Sequence, residues 1–260
     1  MKKAIITLLL LSTYWFAAAQ PADSAGSDMH FSGSVGLTNN GFSIIPTFSL
    51  NSPSVVLLLS WRKARFSIEP DVRLTLDARK GGMIFWFRYR LVNGRKFSLR
   101  VGAHPAYNLQ IRKITENGSV SEITQARRFL ASEVVPNYQI TPNWSVGLYY
   151  LQGNGLQKDG PRTTHFLTLN TNVANVPLGG NVRFQFIPAV YYLNIDGYDG
   201  TYFTATGVLS KKGLPFTLQS AINETLRSNI PGNKDFLWNV TFSYHFAQDF
   251  VRKRVPVLFP

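Results

Sequence analysis

The residues of this chain with the clearest chemical potential are arginines and carboxylates set two positions apart. Glu69, Asp71 and Arg73 alternate through Phe66–Leu76, Arg88 and Arg90 follow Trp86 at the same spacing, and Arg100 and His104 share a parity in Phe97–His104. Glu133 and Arg183 lie in further stretches of the same kind. Successive side chains of a β-strand point to opposite faces, so each of these sets occupies one face. Opposite charges on one face can pair and brace a wall, or leave an unneutralised field that filters ions. A hairpin turning about residues 79–80 would put Asp71 opposite Arg88 and Glu69 opposite Arg90. The turn at Asn93-Gly94-Arg95 would then bring Arg88 near Arg100. The expectation is one coupled patch of Asp71, Arg88 and Arg100, with arginine in surplus.

Catalytic and metal-binding patterns are thin. His30-Phe31-Ser32 supplies a His and a Ser two apart, but no Asp or Asn partner can be assigned to them from sequence. His104 and His245 share the polar parity and read as hydrogen-bonding wall residues. Metal spacing such as His-Glu-x-x-His is absent. No catalytic residue, metal or cofactor is assigned.

The elements that must position these residues are written in alternating letters. Phe66–Leu76, Phe97–Leu109 and Phe236–Phe246 each place an apolar residue at every second position and polar residues between. Twelve such stretches are expected, at 42–50, 54–62, 65–76, 82–92, 96–110, 128–140, 143–153, 163–176, 181–194, 201–210, 214–224 and 236–246. At about 9–15 residues each they can cross a bilayer at a tilt, and their apolar faces are rich in aromatics. Phe85, Phe87, Tyr89, Trp144, Tyr150, Tyr192, Trp238 and Tyr244 suit interfacial girdles. The fold class expected is all-β, a transmembrane antiparallel up-and-down barrel of about 12 strands. The connections alternate in length, short at 63–64, 93–95, 141–142, 177–180 and 211–213. The longest, 111–127, 154–162 and 225–235, all fall on the opposite side, as a barrel with short periplasmic turns and long outer loops requires.

Composition agrees with this. The chain is 45% hydrophobic, yet its mean hydropathy is −0.04, as expected when half of each strand faces lipid and half a polar lumen. Met1-Lys2-Lys3, the apolar run to Phe16 and Ala17-Ala18-Ala19 form an export-signal pattern, so residues 1–19 read as a cleaved signal peptide. Residues 20–41 read as a periplasmic or plug segment, 42–246 as the barrel and 247–260 as a periplasmic tail. There is no cysteine, hence neither a lipoprotein acylation site nor a disulfide framework. The net charge of +13 is scattered through turns rather than carried on a helix, which argues against nucleic acid as a partner. Anionic lipid headgroups and small anionic solutes fit it better.

The last strand, with alternating aromatics ending at Phe246, resembles the closing strand of Gram-negative bacterial outer-membrane β-barrels. The resemblance is one of architecture, porin-like, covering roughly 42–246. It implies residence in the cell outer membrane. The leading expectation is a passive or weakly anion-selective pore for small solutes, with Glu69, Asp71, Arg73, Arg88, Arg90, Arg100, His104, Glu133 and Arg183 as the lumen charge patch. The alternatives are a structural or assembly barrel with a filled lumen, and a lipid-modifying enzyme. Strand number does not separate an open interior from a filled one.

Overall fold

The computed structural model describes residues 29–41, 43, 49–116, 119–158 and 160–250. Twelve antiparallel strands close on themselves: β1 Met29–Thr38, β2 Ser54–Lys63, β3 Phe66–Thr75, β4 Gly81–Asn93, β5 Phe97–Glu116, β6 Ser119–Thr141, β7 Trp144–Gly155, β8 Thr163–Gly179, β9 Val182–Ile195, β10 Tyr198–Lys211, β11 Phe216–Ser228 and β12 Phe236–Phe250. Each strand pairs with its sequence neighbour, and β1 pairs with both β2 and β12. Closure gives every strand two partners, which is what a sheet needs where no water can satisfy a free edge.

Alternation sets the two faces. Phe87, Tyr89, Trp144, Tyr150, Tyr192, Trp238 and Tyr244 are exposed on the outside, while their neighbours Trp86, Ser145, Tyr149, Tyr191, Leu237 and Ser243 are buried inside. So continuous an outer belt of large apolar residues suits lipid and not water.

The strand count matches expectation, but its first member differs. Residues 29–38, expected as a periplasmic or plug segment, form β1. Residues 41, 43, 49 and 50 carry no strand, and the rest of the expected 42–50 strand lies outside the described residues. The inward face of β1 is His30, Ser32, Ser34, Gly36 and Thr38, so its alternation is faint. Gly36 is needed there, because a Cβ would stand 2.6 Å from Ser243 Oγ. Its register is nonetheless complete, from Met29↔Phe250 to Thr38↔Thr241 on one side and from His30↔Arg62 to Thr38↔Ser54 on the other. The barrel therefore runs from 29 to 250, not 42 to 246. The expected export signal at 1–19 and residues 251–260 of the expected tail lie outside the described residues.

The expected loop 111–127 is a second correction. β5 and β6 continue past their neighbours as a two-stranded ribbon, since β4 begins opposite Leu109 and β7 ends opposite Phe129. A third concerns the turn joining β3 to β4. It is built on Asp77, which accepts from the Thr75 hydroxyl and the Arg79 N–H, with Ala78 at φ 54°. These two bonds hold the Asp77 carboxyl below its ordinary pKa.

Candidate lumen site

Moving that turn to residues 77–78 slides β4 along β3. Asp71 stands opposite Ile84 and Glu69 opposite Trp86, while Arg88 stands opposite Ser67. The expected Asp71–Arg88 and Glu69–Arg90 pairs therefore do not form as register partners. Parity survives the slide, so every predicted patch residue still faces the lumen, but the groups combine differently.

Asp71 is clamped by its own strand. Arg73 Nε donates to Asp71 Oδ1 at 2.8 Å and Nη2 to Oδ2 at 3.0 Å, a bidentate pair with the Arg73 side chain only 1% exposed. Arg88 joins a separate network. Its Nε and Nη2 donate to the two oxygens of Glu133 at 2.8 and 3.1 Å, and its Nη1 donates to Glu69. Ser67 Oγ donates to the other Glu69 oxygen at 2.7 Å. Arg100 Nε reaches Glu133 Oε1 at 3.2 Å. Glu133, fully buried, thus serves two arginines. Two carboxylates thus engage all three nitrogens of one guanidinium, and such charge-assisted bonds are the strong ones.

Arg88 and Glu133 sit on β4 and β6, with β5 between them. Gly102 makes their contact possible. It is opposite both residues, and a Cβ there would stand 3.0 Å from Arg88 Cγ and 3.1 Å from Glu133 Cγ. A bare backbone lets the two side chains lie down across the intervening strand. Gly147 does the same on β7, where a Cβ would meet the amides of Asn137 and Asn170. Neither glycine is marked by composition; the signal that identifies them is register.

Packing caps this lattice. Arg88 lies over the Trp86 ring at 4.1 Å, and Trp86 meets His104 edge-on at 4.1 Å. His104 is therefore an aromatic packing partner, buried to 1% exposure. Tyr149, Phe166, Tyr191 and Tyr202 continue as a row of ring contacts across β7 to β10, from 4.7 to 5.8 Å apart. Two long loops add to this packed half. Leu50 is held by Lys80 Nζ, which donates to its carbonyl at 2.7 Å, and Ile230 follows Ser228, whose hydroxyl contacts Tyr202. Both side chains are buried in the same cluster.

The interior consequently differs along its axis. Towards the long loops, inward residues such as Thr75, Ile84, Phe129, Leu151, Leu193 and Tyr202 are buried. Towards the short turns, inward Arg62, Arg90, Arg100, Asn172, Arg183 and His245 retain intermediate exposure. The short-turn end is the more accessible part of the interior, a vestibule. Arg90 and Arg183 belong to this vestibule and not to the buried lattice. Arg62, unassigned from sequence, belongs there too, by the parity of Val56 and Leu58. The described rim adds Lys63, Arg65, Arg95, Lys96, Lys211 and Lys212, against the carboxylate of Asp249.

His30 lies on β1 beside that rim, and Asp249 supplies the partner that sequence could not assign, at 2.6 Å from Nδ1. Ser32 lies across from Ala247 and Ser60, and no His30–Ser32 hydrogen bond occurs among the described residues. The pair bridges β1 and β12 across the barrel seam.

No protein-family model matches the chain, and no curated protein does. Solved structures do. It is similar to the KdgM porin, with TM-score 0.51 and 16% identity over 83% of this chain and 99% of that one. It also aligns with the NanC porin (0.45, 12%, 85% and 100%) and the CymD monoaromatic hydrocarbon channel (0.44, 9%, 87% and 90%). Likeness at this identity speaks to the fold, which is a closed, porin-like outer-membrane β-barrel.

Proposed function

We propose that the protein resides in the outer membrane and provides a narrow passive pathway for small solutes, with a preference for anions. The observation that carries this reading is the distribution of inward charge. Asp71 is committed to Arg73, and Glu69 and Glu133 are engaged by Arg88, with Glu133 shared with Arg100, whereas inward Arg62, Arg90 and Arg183 add further cations to the half that keeps intermediate exposure. Fixed cations in a low-dielectric cleft raise the local concentration of anions and repel cations. Channels in the porin and hydrocarbon-channel structures above lend the pathway plausibility, not its selectivity.

Reconstitution of the pure protein in planar bilayers under a KCl gradient tests this reading. Small ohmic steps with a reversal potential on the chloride side are expected, and Arg90→Gln with Arg100→Gln should move that potential towards zero. Cation preference, or silence, overturns it. A second reading is favoured by the packed loop-side half, where Trp86, Phe129, Tyr149 and Tyr202 fill the interior. On that reading the barrel is a structural element with a filled lumen, and silence is the expected result. Location is tested separately by fractionation, where recovery from the cytoplasm or as free periplasmic protein would overturn the membrane assignment.

A further inference from the structure

Charge at the short-turn end is unevenly spread round the ring. The β6–β7 and β8–β9 turns, Pro142-Asn143 and Gly180-Asn181, carry no ionic group. The β2–β3 and β4–β5 turns are neighbours in the barrel, and there Lys63, Arg65, Arg95 and Lys96 gather, all exposed. Asp249, the carboxylate described at this end, lies on β12, two strands from β2, and is paired with His30. The long-loop end interleaves both signs, as where Arg79 donates to Glu122 at 2.9 Å. On the membrane side of the four cations the outer wall is aromatic. Trp61 precedes Lys63 by two positions and shares its outward parity on β2. Lys63 is the register partner of Phe66, and Phe66 is that of Tyr89. Phe97 follows Lys96 at the start of β5, and all four rings are exposed. A cation one step beyond lipid-facing rings lays its stem on apolar surface and its head among headgroups.

We propose that Lys63, Arg65, Arg95 and Lys96, with the rings beside them, form a docking surface for anionic phospholipid headgroups in the leaflet at the short-turn end. The occupant follows from position and charge. Aromatic rings on a lipid-facing wall sit at the headgroup level. A phosphodiester without an ammonium of its own keeps a net negative charge, which clustered basic residues at that level attract. The guanidinium forks match phosphate oxygens two at a time, and the ammonium groups act as point charges. Lys63 faces outward and not into the lumen, so the ligand is a lipid and not a solute in transit. The surface rests on the membrane placement and not on the pathway, so it serves an open or a filled barrel alike.

The test uses Trp61 as reporter, in the full chain carrying Trp15→Phe, Trp144→Phe and Trp238→Phe and refolded into vesicles of phosphatidylcholine and phosphatidylglycerol. Trp86 stays, because it is buried on the lumen side. Bromine on the acyl chains of one lipid at a time quenches an indole at the wall according to that lipid's share of the neighbouring sites. A phosphatidylglycerol-to-phosphatidylcholine affinity ratio of about three or more is expected at Trp61. Lys63→Gln, Arg65→Gln, Arg95→Gln and Lys96→Gln together should bring the ratio to near one. Lys211→Gln with Lys212→Gln should leave it unchanged, since β6–β9 on one side and β12 and β1 on the other separate that turn from the cluster. Salt gives a second measurement that needs no variant of the cluster. About 1 M NaCl, which screens charges beyond about 3 Å, should lower the ratio towards one. A ratio of one at low salt overturns the surface, and so does a ratio that salt leaves untouched. An equal fall in the Lys211 and Lys212 variant overturns it too, since that means a diffuse field over the whole rim. Quenching by neither lipid overturns the membrane placement together with the surface. A selective ratio in a protein whose planar bilayers stay silent supports the surface and removes the pathway alone.

Discussion

The two walls of the lumen meet the same demand by different chemistry. Strands β3 to β6 bury ions: Arg73 against Asp71, and Arg88 between Glu69 and Glu133. Strands β9 to β12 and β1 bury neutral groups. Tyr191 donates to Asn223 at 2.8 Å, Thr204 to the Ile222 carbonyl at 2.7 Å, and Asn239 to Thr38 and Thr241 at 3.2 and 3.1 Å. The two walls should fail differently. Removing one member of a neutral pair strands a dipole. Removing one member of an ion network strands a charge, which is several times more costly to bury.

The largest effect should come from Glu133. Glu133→Gln leaves Arg88 with Glu69 alone and takes from Arg100 its Glu133 contact. A destabilisation of about 3–5 kcal/mol is expected, the usual cost of breaking a buried ionic group. Urea unfolding in lipid vesicles measures it. Replacing Arg88, Arg100, Glu69 and Glu133 together by Met, Met, Gln and Leu sharpens the comparison, because whole-network replacement by packed neutral groups is often close to neutral. If the single change costs under 1 kcal/mol, water screens the charged wall and the two walls are energetically alike.

Gly102 comes next. Gly102→Val would push two methyls between Arg88 and Glu133, where even a Cβ stands at 3.0–3.1 Å. Overpacking of this kind costs about 1–3 kcal/mol. Gly153→Ala is the control, since its Cβ would meet nothing nearer than Thr164 Cβ at 3.6 Å, so little loss is expected there. Equal losses at the two glycines would mean that Gly102 is not the aperture of the ion network.

What sequence made legible, and what it hid, follows the same physical line. Parity is a strict period of two, so Glu69, Asp71, Arg73, Arg88, Arg90, Arg100, His104, Glu133 and Arg183 all read correctly as inward. Register is set by a single turn. At Asp77-Ala78 the signal is a side-chain acceptor and a left-handed alanine, whereas the more conspicuous Gly81-Gly82 begins the next strand. Misplacing that turn preserves the face but exchanges every partner, which is why Asp71 meets Arg73 and Arg88 meets Glu133. β1 was obscured for a related reason. Its inward residues are small, so contrast with its outward residues is weak, and its identity comes from pairing with β12, more than two hundred positions away in the chain.

On the neutral wall, Asn223→Ala removes the acceptor of the buried Tyr191 hydroxyl. A loss on the order of 1 kcal/mol is expected, and Tyr191→Phe on that background should restore part of it by removing the stranded donor. The same double substitution on the charged wall has no such rescue short of replacing the network. A loss at Asn223 as large as that at Glu133 would erase the distinction between the walls.

The smallest effect should lie within the neutral wall itself, at the seam where β1 meets β12. His30 and Asp249 pair at 2.6 Å, but the Asp249 side chain is 42% exposed. An ion pair open to water gains little over its solvated parts, so Asp249→Asn should cost less than about 1 kcal/mol. The seam is held instead by backbone pairing along β1, from Met29↔Phe250 to Thr38↔Thr241. A proline at Val35 tests that directly, because it withdraws a ladder donor and fits only at edges, and β1 has none. Val35→Pro should prevent recovery of a folded barrel, while Asp249→Asn refolds to the wild-type unfolding midpoint within a few tenths of a molar urea. If Val35→Pro folds normally, residues 29–38 do not close the barrel. The strand that pairs with both β12 and β2 would then have to come from elsewhere in the chain.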